Sequence, residues 1–342
     1  MRSAEQYAMQ MQTQRKQPRR RRRWFMFGAV GAALLVGATM AVGLASYWRF
    51  DGNIRTDGAA AEELAQHGAE RPKPAVGEAQ NILLLGSDYR EELGSARSDT
   101  TMLLHLSADR SRVEVVSVPR DLYANIPVCR TPDGDPSRAQ RAQFNWAYEF
   151  GGAACTIRTF ERLTGIRIDH HLVLNFGGFK KIVSAVGGVV VDLPTAERDP
   201  NVGLDLPAGR QVVMGDDALA YVRARMYVGD GSDINRIHRQ QEFLTSLGEK
   251  LRSSGVLANP ARLYPILDAT TSAITADSGL DSLGELYGMI KRVREVPPNR
   301  VRFITVPHRT APDDPNRLVL EQPQASRLFA SLREDRPADS QP

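Results

Sequence analysis

Short apolar runs of six or seven residues recur through the middle of this chain, and most close on Gly, Pro or Asp: Asn81–Gly86, Thr100–Leu106, Val113–Val118, His171–Phe176, Gly187–Leu193 and Arg300–Val306. Their Val, Ile and Leu content predicts buried strands. Helical spacing appears between them, at about Cys155–Thr164, Phe179–Val186, Asp217–Val222, Ile234–Ser253 and Leu280–Arg294. In the fourth of these Ile237, Leu244, Leu247 and Leu251 keep one apolar stripe, with Ser232 or Asp233 as N-cap. Strand and helix mixed in this way predict an α/β domain, a three-layer α-β-α sandwich with a central mixed sheet.

A different pattern precedes it. Trp24 to Trp48 contains no charged residue and is long enough to cross a hydrocarbon core of about 30 Å, so it predicts one transmembrane helix. Arg15-Lys16 and the run Arg19–Arg23 stand before it, and only Arg49 follows before Asp51. The positive-inside bias then predicts a cytoplasmic N-terminus, with everything after residue 50 outside the cell membrane. Trp24, Tyr47 and Trp48 suit the two interfaces. Gly43-Leu44-Ala45 resembles a cleavage site and Arg22-Arg23-Trp24-Phe25-Met26 a twin-arginine signal, and either would also export the domain. The apolar stretch exceeds the h-region of about 7–15 residues in a removable signal, which favours an uncleaved anchor.

Charge changes the picture mainly at the N-terminus. Residues 1–23 carry net +7 against +4 for the whole chain, leaving −3 for the rest. The basicity is a juxtamembrane arm suited to anionic lipid, and nucleic-acid binding is disfavoured. The expected division is a basic arm over 1–23, the span over 24–48, an Ala/Gly/Glu/Pro-rich stalk over 49–79, one domain over 80–310, and a C-terminal helix with a polar, disordered tail over 311–342. Cys129 and Cys155 lie in the exported part and are read as one disulfide, closing a loop of about 26 residues for roughly 3–4 kcal/mol. Two buried free thiols are the alternative.

Candidate chemistry sits at strand ends. Asp88 follows the first strand, and Arg97-Ser98-Asp99-Thr100 opens the second; if the strands are neighbours, Asp88 and Asp99 approach and suit Mg²⁺, though each aspartate alone could simply close a turn. Pro119 ends the third strand and delivers Arg120 and Asp121 to the loop beyond. Arg223 and Arg225 share a side if the backbone is extended and diverge if it is helical. Asp233, Arg236 and Gln240 share one face of a helix N-terminus, a surface suited to phosphate, or to plain solvation. Guanidinium forks with a few carboxylates fit a multiply anionic phosphate ester with its divalent ion. His105, His170, His171, His238 and His308 show no zinc spacing and receive no role. No serine-hydrolase elbow or Walker loop occurs.

The ordered set Asn81–Asp88, Arg97–Thr100, Ser117–Asp121, Asn145-Trp146-Ala147-Tyr148 with Gly151-Gly152, Gly165–Leu193, Tyr221–Arg225 and Asp233–Gln241 resembles the LytR-CpsA-Psr family of membrane-anchored cell-wall enzymes. The resemblance implies a phosphotransferase that moves a glycopolymer from a polyprenyl-pyrophosphate lipid to a peptidoglycan hydroxyl, leaving a phosphodiester. It implies Asp88 and Asp99 as ligands of Mg²⁺, or of Mn²⁺ in its place. Arg97, Arg120, Arg223, Arg225, Arg236 and Gln240 become the pyrophosphate cradle and Asp233 its orienting group, with Asp99 or Asp233 as acceptor of the hydroxyl proton. The Cys129–Cys155 pairing resembles actinobacterial members. Gln143 stands where relatives often carry lysine; if that lysine touches phosphate, this chain has either lost one contact or uses Arg141 instead. The family's fold implies a lipid groove, into which the apolar stretch Phe176–Val191 would fit; a plain core explains that stretch equally. A polyprenyl-pyrophosphate pyrophosphatase and a non-catalytic binder of lipid-linked glycan are the competing functions.

Overall fold

In a computed structural model, residues 18–88, 97–253, 255 and 259–338 are described. The basic arm up to residue 17 and the last four residues of the expected tail lie outside them. Along the chain, helix α1 spans Pro18–Asn53, strand β1 Arg55–Thr56 and helix α2 Gly58–Gln66. Then come β2 (Gln80–Ser87), β3 (Ser98–Leu106), β4 (Val113–Val118), β5 (Tyr123–Ile126), β6 (Gln140–Gln143), α3 (Trp146–Thr164), β7 (His170–Asn175), α4 (Phe176–Ala185) and β8 (Val189–Leu193). The rest is β9 (Glu197–Asp199), β10 (Leu204–Leu206), β11 (Gly209–Val213), α5 (Gly215–Arg223), α6 (Asp233–Ser253), α7 (Pro260–Thr271), β12 (Ile274–Ala276), α8 (Leu283–Glu295), β13 (Val301–Thr305), β14 (His308–Ala311), β15 (Asp314–Leu320) and α9 (Gln324–Arg333).

The N-terminal unit ends at Arg49 and the folded unit runs from Phe50. Within α1 the stretch Gly31–Asn53 is apolar and long enough to cross a membrane, making it a candidate anchor.

In the folded unit a seven-stranded mixed sheet has the order β1-β12-β7-β2-β3-β4-β13 among the described residues. The alternation of β2 shows why this is three layers: Leu83 and Leu85 face a core with α2, α3 and α9, whereas Ile82 and Leu84 face the opposite side with Leu286 and Met289 of α8. With both faces covered, the strands read as continuous apolar runs. The expected sandwich is therefore present. The run at Gly187–Leu193 is an exception, because β8 pairs antiparallel with β11 in a separate two-stranded sheet. Val183, Val189 and Val191 are buried there with Phe243, so this part of Phe176–Val191 packs as ordinary core.

Two boundary expectations fail. The stretch 49–79 is no free stalk: β1 pairs in parallel with β12, Asp57 caps α2 by accepting from the Ala60 N–H at 3.0 Å, and Ala60 is in the main core. Its Ala- and Glu-rich composition hides a one-face pattern of Ala60, Glu63 and Leu64. Nor is the chain free directly beyond Glu334. Asp335 accepts from the Arg112 guanidinium at 2.5 Å, and the Ala338 carbonyl accepts from Arg302 at 2.7 Å. His105 of β3, Glu114 of β4 and Arg302 of β13 engage Asp335 and the Ala338 backbone.

The Cys129–Cys155 disulfide forms, with Cα atoms 5.6 Å apart. It ties the loop after β5 to α3, which begins at Trp146 instead of Cys155 and is broken at Gly151-Gly152. Gly152 has φ +59°, and a Cβ on Gly151 would lie 2.9 Å from that of Cys155, so the glycine pair lets the helix bend around the bridge.

Candidate active site

Sheet topology brings the predicted residues together. β2 pairs antiparallel with β3 and β3 antiparallel with β4, so the ends of β2 and β4 and the start of β3 share one edge. Asp88, Asp99 and Arg120 emerge there. Helix α5 ends at Arg223, Ala224 is extended at φ −57°, ψ 135°, and Arg225 follows. That single extended residue resolves the open question of convergence, because both arginines line the same cleft. The cleft has a volume of about 500 Å³ and is lined also by Arg97, Asp121, Gln143, Asn145, Asn316 and Arg317.

Arg120 is the hub. Its Nη1 donates to Asp99 Oδ1 at 2.8 Å and its backbone N–H to Asp233 Oδ2 at 3.2 Å, while Nε lies 3.4 Å from Asp233 Oδ1. Arg225 Nη1 stands 3.2 Å from Asp121 Oδ2. Arg223 reaches within 4.0 Å of Asp99 and stacks over Phe176, its guanidinium carbon 4.5 Å from the ring centre. Arg97 donates to Glu149 at 2.8 Å and its backbone N–H to Asp88 at 3.1 Å. Among the described residues, five arginines line the cleft with three aspartates, while Glu149 and Asp233 pair with Arg97 and Arg120 from outside the lining.

Electrostatics fix the ionisation of this network. Burial works to raise the Asp99 carboxyl, but the charges of Arg120, Arg236 and Arg223 with the Arg120 hydrogen bond outweigh it and hold the group below its ordinary value. Burial likewise works against the Arg120 charge, and Asp99, Asp233 and Asp121 raise it.

Asp233, Arg236 and Gln240 lie behind the lining, each less than a tenth exposed. Ser232 Oγ accepts from the Asn235 N–H at 3.1 Å and so acts as the cap of α6. Arg236 donates to Asp233, which in turn holds Arg120. Burial, with the neighbouring Arg120 charge, holds the Arg236 guanidinium below its ordinary value, against the opposing pull of Asp233. Gln240 donates to the Val222 carbonyl at 3.0 Å and the unpredicted Arg239 to the Ala224 carbonyl at 2.8 Å. The α6 residues thus hold the α5 terminus from which Arg223 and Arg225 project; Gln240 is a positioning residue in this arrangement.

Further residues arrive that the sequence reading did not assign. Gln143 lines the cleft and donates to Asp121 at 2.6 Å, whereas Arg141 stacks on Tyr123 outside the lining. Asn316 and Arg317 come from β15, in a segment read as tail; a polar turn carries no signal of its destination. Asn145 Oδ1 is buried on the cleft wall with no hydrogen-bond donor among the described residues. Asp88, Asp99 and this amide oxygen are hard oxygen donors that fit a divalent cation such as Mg²⁺. No cluster of three or more His, Cys, Asp or Glu suited to a metal occurs among the described residues, so protein ligands alone would leave most of the coordination shell to ligand and water.

The cell wall biosynthesis protein LcpA of Corynebacterium glutamicum is 34% identical over 263 residues, covering 67% of this chain and 50% of LcpA. The polyisoprenyl-teichoic acid–peptidoglycan teichoic acid transferase TagU of Halalkalibacterium halodurans is 33% identical over 207 residues, 60% of this chain and 63% of TagU. The chain thus spans about half to two thirds of the length of these relatives. The structure of the LytR-Csp2A-Psr enzyme from Actinomyces oris superposes with a TM-score of 0.58 at 24% identity over 77% of this chain and 96% of that one, a likeness of fold. A sequence model of the LytR_cpsA_psr family matches residues 52–334, an interval that begins at the folded unit and takes in every residue of the cleft, and the chain belongs to that family.

Proposed function

We propose that this protein is a membrane-anchored phosphotransferase that moves a glycopolymer from a polyprenyl-pyrophosphate carrier to a peptidoglycan hydroxyl. The observation that carries the reading is the convergence of five arginines on one open cleft: their guanidinium forks suit the several anionic oxygens of a pyrophosphate diester. Relatives named for cell wall biosynthesis and for teichoic acid transfer support the acceptor and donor classes. The candidate anchor supports a membrane location, with the N-terminus cytoplasmic and the cleft outside.

In the proposed step the acceptor hydroxyl oxygen attacks the phosphorus attached to the glycan. A new O–P bond forms, the bond from that phosphorus to the bridging oxygen breaks, and polyprenyl phosphate leaves with the bridging oxygen, while the hydroxyl proton passes to the leaving phosphate or to solvent. Catalysis of this kind rests on positioning and charge neutralisation. Arg120, Arg223 and Arg225 hold the phosphate oxygens, Arg97 closes the Asp88 side, and Arg236 with Asp233 fixes Arg120 in its rotamer. Asp88, Asp99 and Asn145 would hold Mg²⁺, or Mn²⁺ in its place. The metal supplies Lewis-acid neutralisation of the phosphate oxygens. Asp99, held ionised by three arginines, suits this role better than that of general base, which works best with a pKa near the working pH.

The test is a product assay with the full-length protein in detergent, Mg²⁺, a polyprenyl-pyrophosphate oligosaccharide and peptidoglycan fragments, resolved by mass. A sugar-phosphate-peptidoglycan adduct is expected. Free lipid without an adduct would make the protein a pyrophosphatase, and binding without turnover a non-catalytic glycan carrier.

A further inference from the structure

The folded unit starts where the candidate span stops. The uncharged stretch ends at Trp48 and its helix at Asn53, yet Phe50 already packs on Tyr264 of α7 with ring centres 4.9 Å apart. Asp51 Oδ1 accepts from the backbone N–H of Leu283, the first residue of α8, at 2.8 Å, and Asn53 Nδ2 donates to Thr271 at 3.3 Å. No spacer therefore separates the last residues of the span from α7 and α8. If α1 crosses the bilayer, the surface nearest residues 50–53 cannot stand off from the headgroups, since the connection has no slack.

The surface near that point has a composition of its own. Tyr264 is 40% exposed, Tyr287 65% and Ile290 48%. On α8, Tyr287, Ile290, Lys291 and Arg294 recur at three- and four-residue spacing on one exposed side, while Leu286 and Met289 on the other side enter the core. A tyrosine places an apolar ring with a polar tip at headgroup depth, and lysine and arginine pair with lipid phosphates while their stems stay apolar. Arg262 is also exposed, two residues before Tyr264.

We propose that the exposed face of α8, together with Tyr264, rests on the anionic headgroups of the bilayer that the anchor crosses. The inference depends on α1 being a membrane span; the proposed chemistry of the cleft is independent of it. Its functional consequence is a domain held directly against the membrane, with little freedom to tumble above a donor that is itself lodged in the bilayer.

The experiment uses the full-length chain in vesicles of phosphatidylethanolamine and phosphatidylglycerol, with a nitroxide on one introduced cysteine at a time. The two native cysteines are tied in their disulfide. Ile290→Cys reports on α8, Arg327→Cys on the exposed side of α9 across the sheet, and Val36→Cys on the span. The expected result is a loss of collisions with an aqueous nickel chelate at Ile290→Cys relative to Arg327→Cys, and near-complete protection at Val36→Cys. Adding Tyr287→Ser and Lys291→Glu should return the Ile290→Cys label to the Arg327→Cys level. Equal aqueous exposure at the two domain positions, with the Val36→Cys label still immersed, would overturn the proposal and leave the anchor intact. An aqueous Val36→Cys label would remove the anchor reading and this inference with it. Spin–spin broadening at Ile290→Cys that disappears on dilution with unlabelled chain would show a second protein copy on this face, again overturning lipid contact.

Discussion

Two arginine–carboxylate clusters in this domain use the same residue types to opposite ends. On the α2–α3 side, Arg71 grips Glu161 through Nε and Nη2 at 2.7–3.1 Å, and Arg158 reaches Glu63 at 2.8 Å and Glu70 at 3.3 Å. Arg162 also reaches Glu70, at 3.1 Å, so three arginines meet three glutamates. Spare donors go to the carbonyls of Ile168 and Val128. At the strand edge, by contrast, five arginines line an open cleft with three aspartates. The Arg120, Arg223 and Arg225 side chains keep 25–27% of their surface exposed, against 6% for Arg158. A cluster whose buried arginines are used up on glutamates and carbonyls, with only the Arg162–Glu70 pair half exposed at its rim, holds structure together; one whose guanidinium groups converge on an open cleft is arranged for an anionic ligand.

The contrast can be broken from either side. Arg158→Ala should have the largest effect, about 3–5 kcal/mol of lost stability, because it leaves Glu63 buried without its partner. Chemical denaturation would show it, and transfer per folded molecule should be unchanged. Arg120→Ala should lower transfer by about 10²–10³-fold, the scale for losing one preorganised donor to developing charge, with a smaller stability loss than Arg158→Ala. Arg317→Ala removes an outer charge; donor affinity should weaken by about 1.5 kcal/mol, roughly tenfold, in a binding titration.

The smallest effect concerns neither cluster and serves as a control. His170 Nδ1 donates to Asp277 Oδ1 at 3.0 Å, and that hydrogen bond, with the Asp277 and Asp169 charges, raises the imidazole above its ordinary value against the pull of burial. A raised folded value means stabilisation fully present below pH ~6.5 and lost as pH rises through the folded pKa, under about 1 kcal/mol. His170→Gln should remove this slope from stability measured between pH 6 and 8 and leave donor binding in the cleft unaffected.

Much of the cleft was legible because strand periodicity, strand exits and residue type agree there. Val113–Val118 ends at proline and can only deliver Arg120 outward, and Asn81–Ser87 ends at Asp88 in the same way. The positions of Arg223 and Arg225 were not legible, since a helix end shifted by one residue would turn one of them away. Arg317 was hidden for a different reason: β15 reaches the cleft through a parallel bridge between Leu122 and Leu318, a long-range contact without local sequence signature. The balanced cluster was missed because Glu63, Glu70 and Arg71 sit in a segment whose composition resembles a spacer. Composition reports solubility, and Ala60, buried at 3% exposure, shows that burial there depends on spacing.

The central claim is that the arginines converging on the cleft hold a pyrophosphate. The most direct measurement is calorimetric titration of the full-length protein with a short-chain polyprenyl pyrophosphate and with the matching monophosphate, in Mg²⁺, for wild type and Arg120→Ala. Preferential binding of the pyrophosphate by wild type, with the preference erased by Arg120→Ala, is the predicted result. Equal affinity for the two lipids, or a preference that survives Arg120→Ala together with Arg223→Ala, would contradict it.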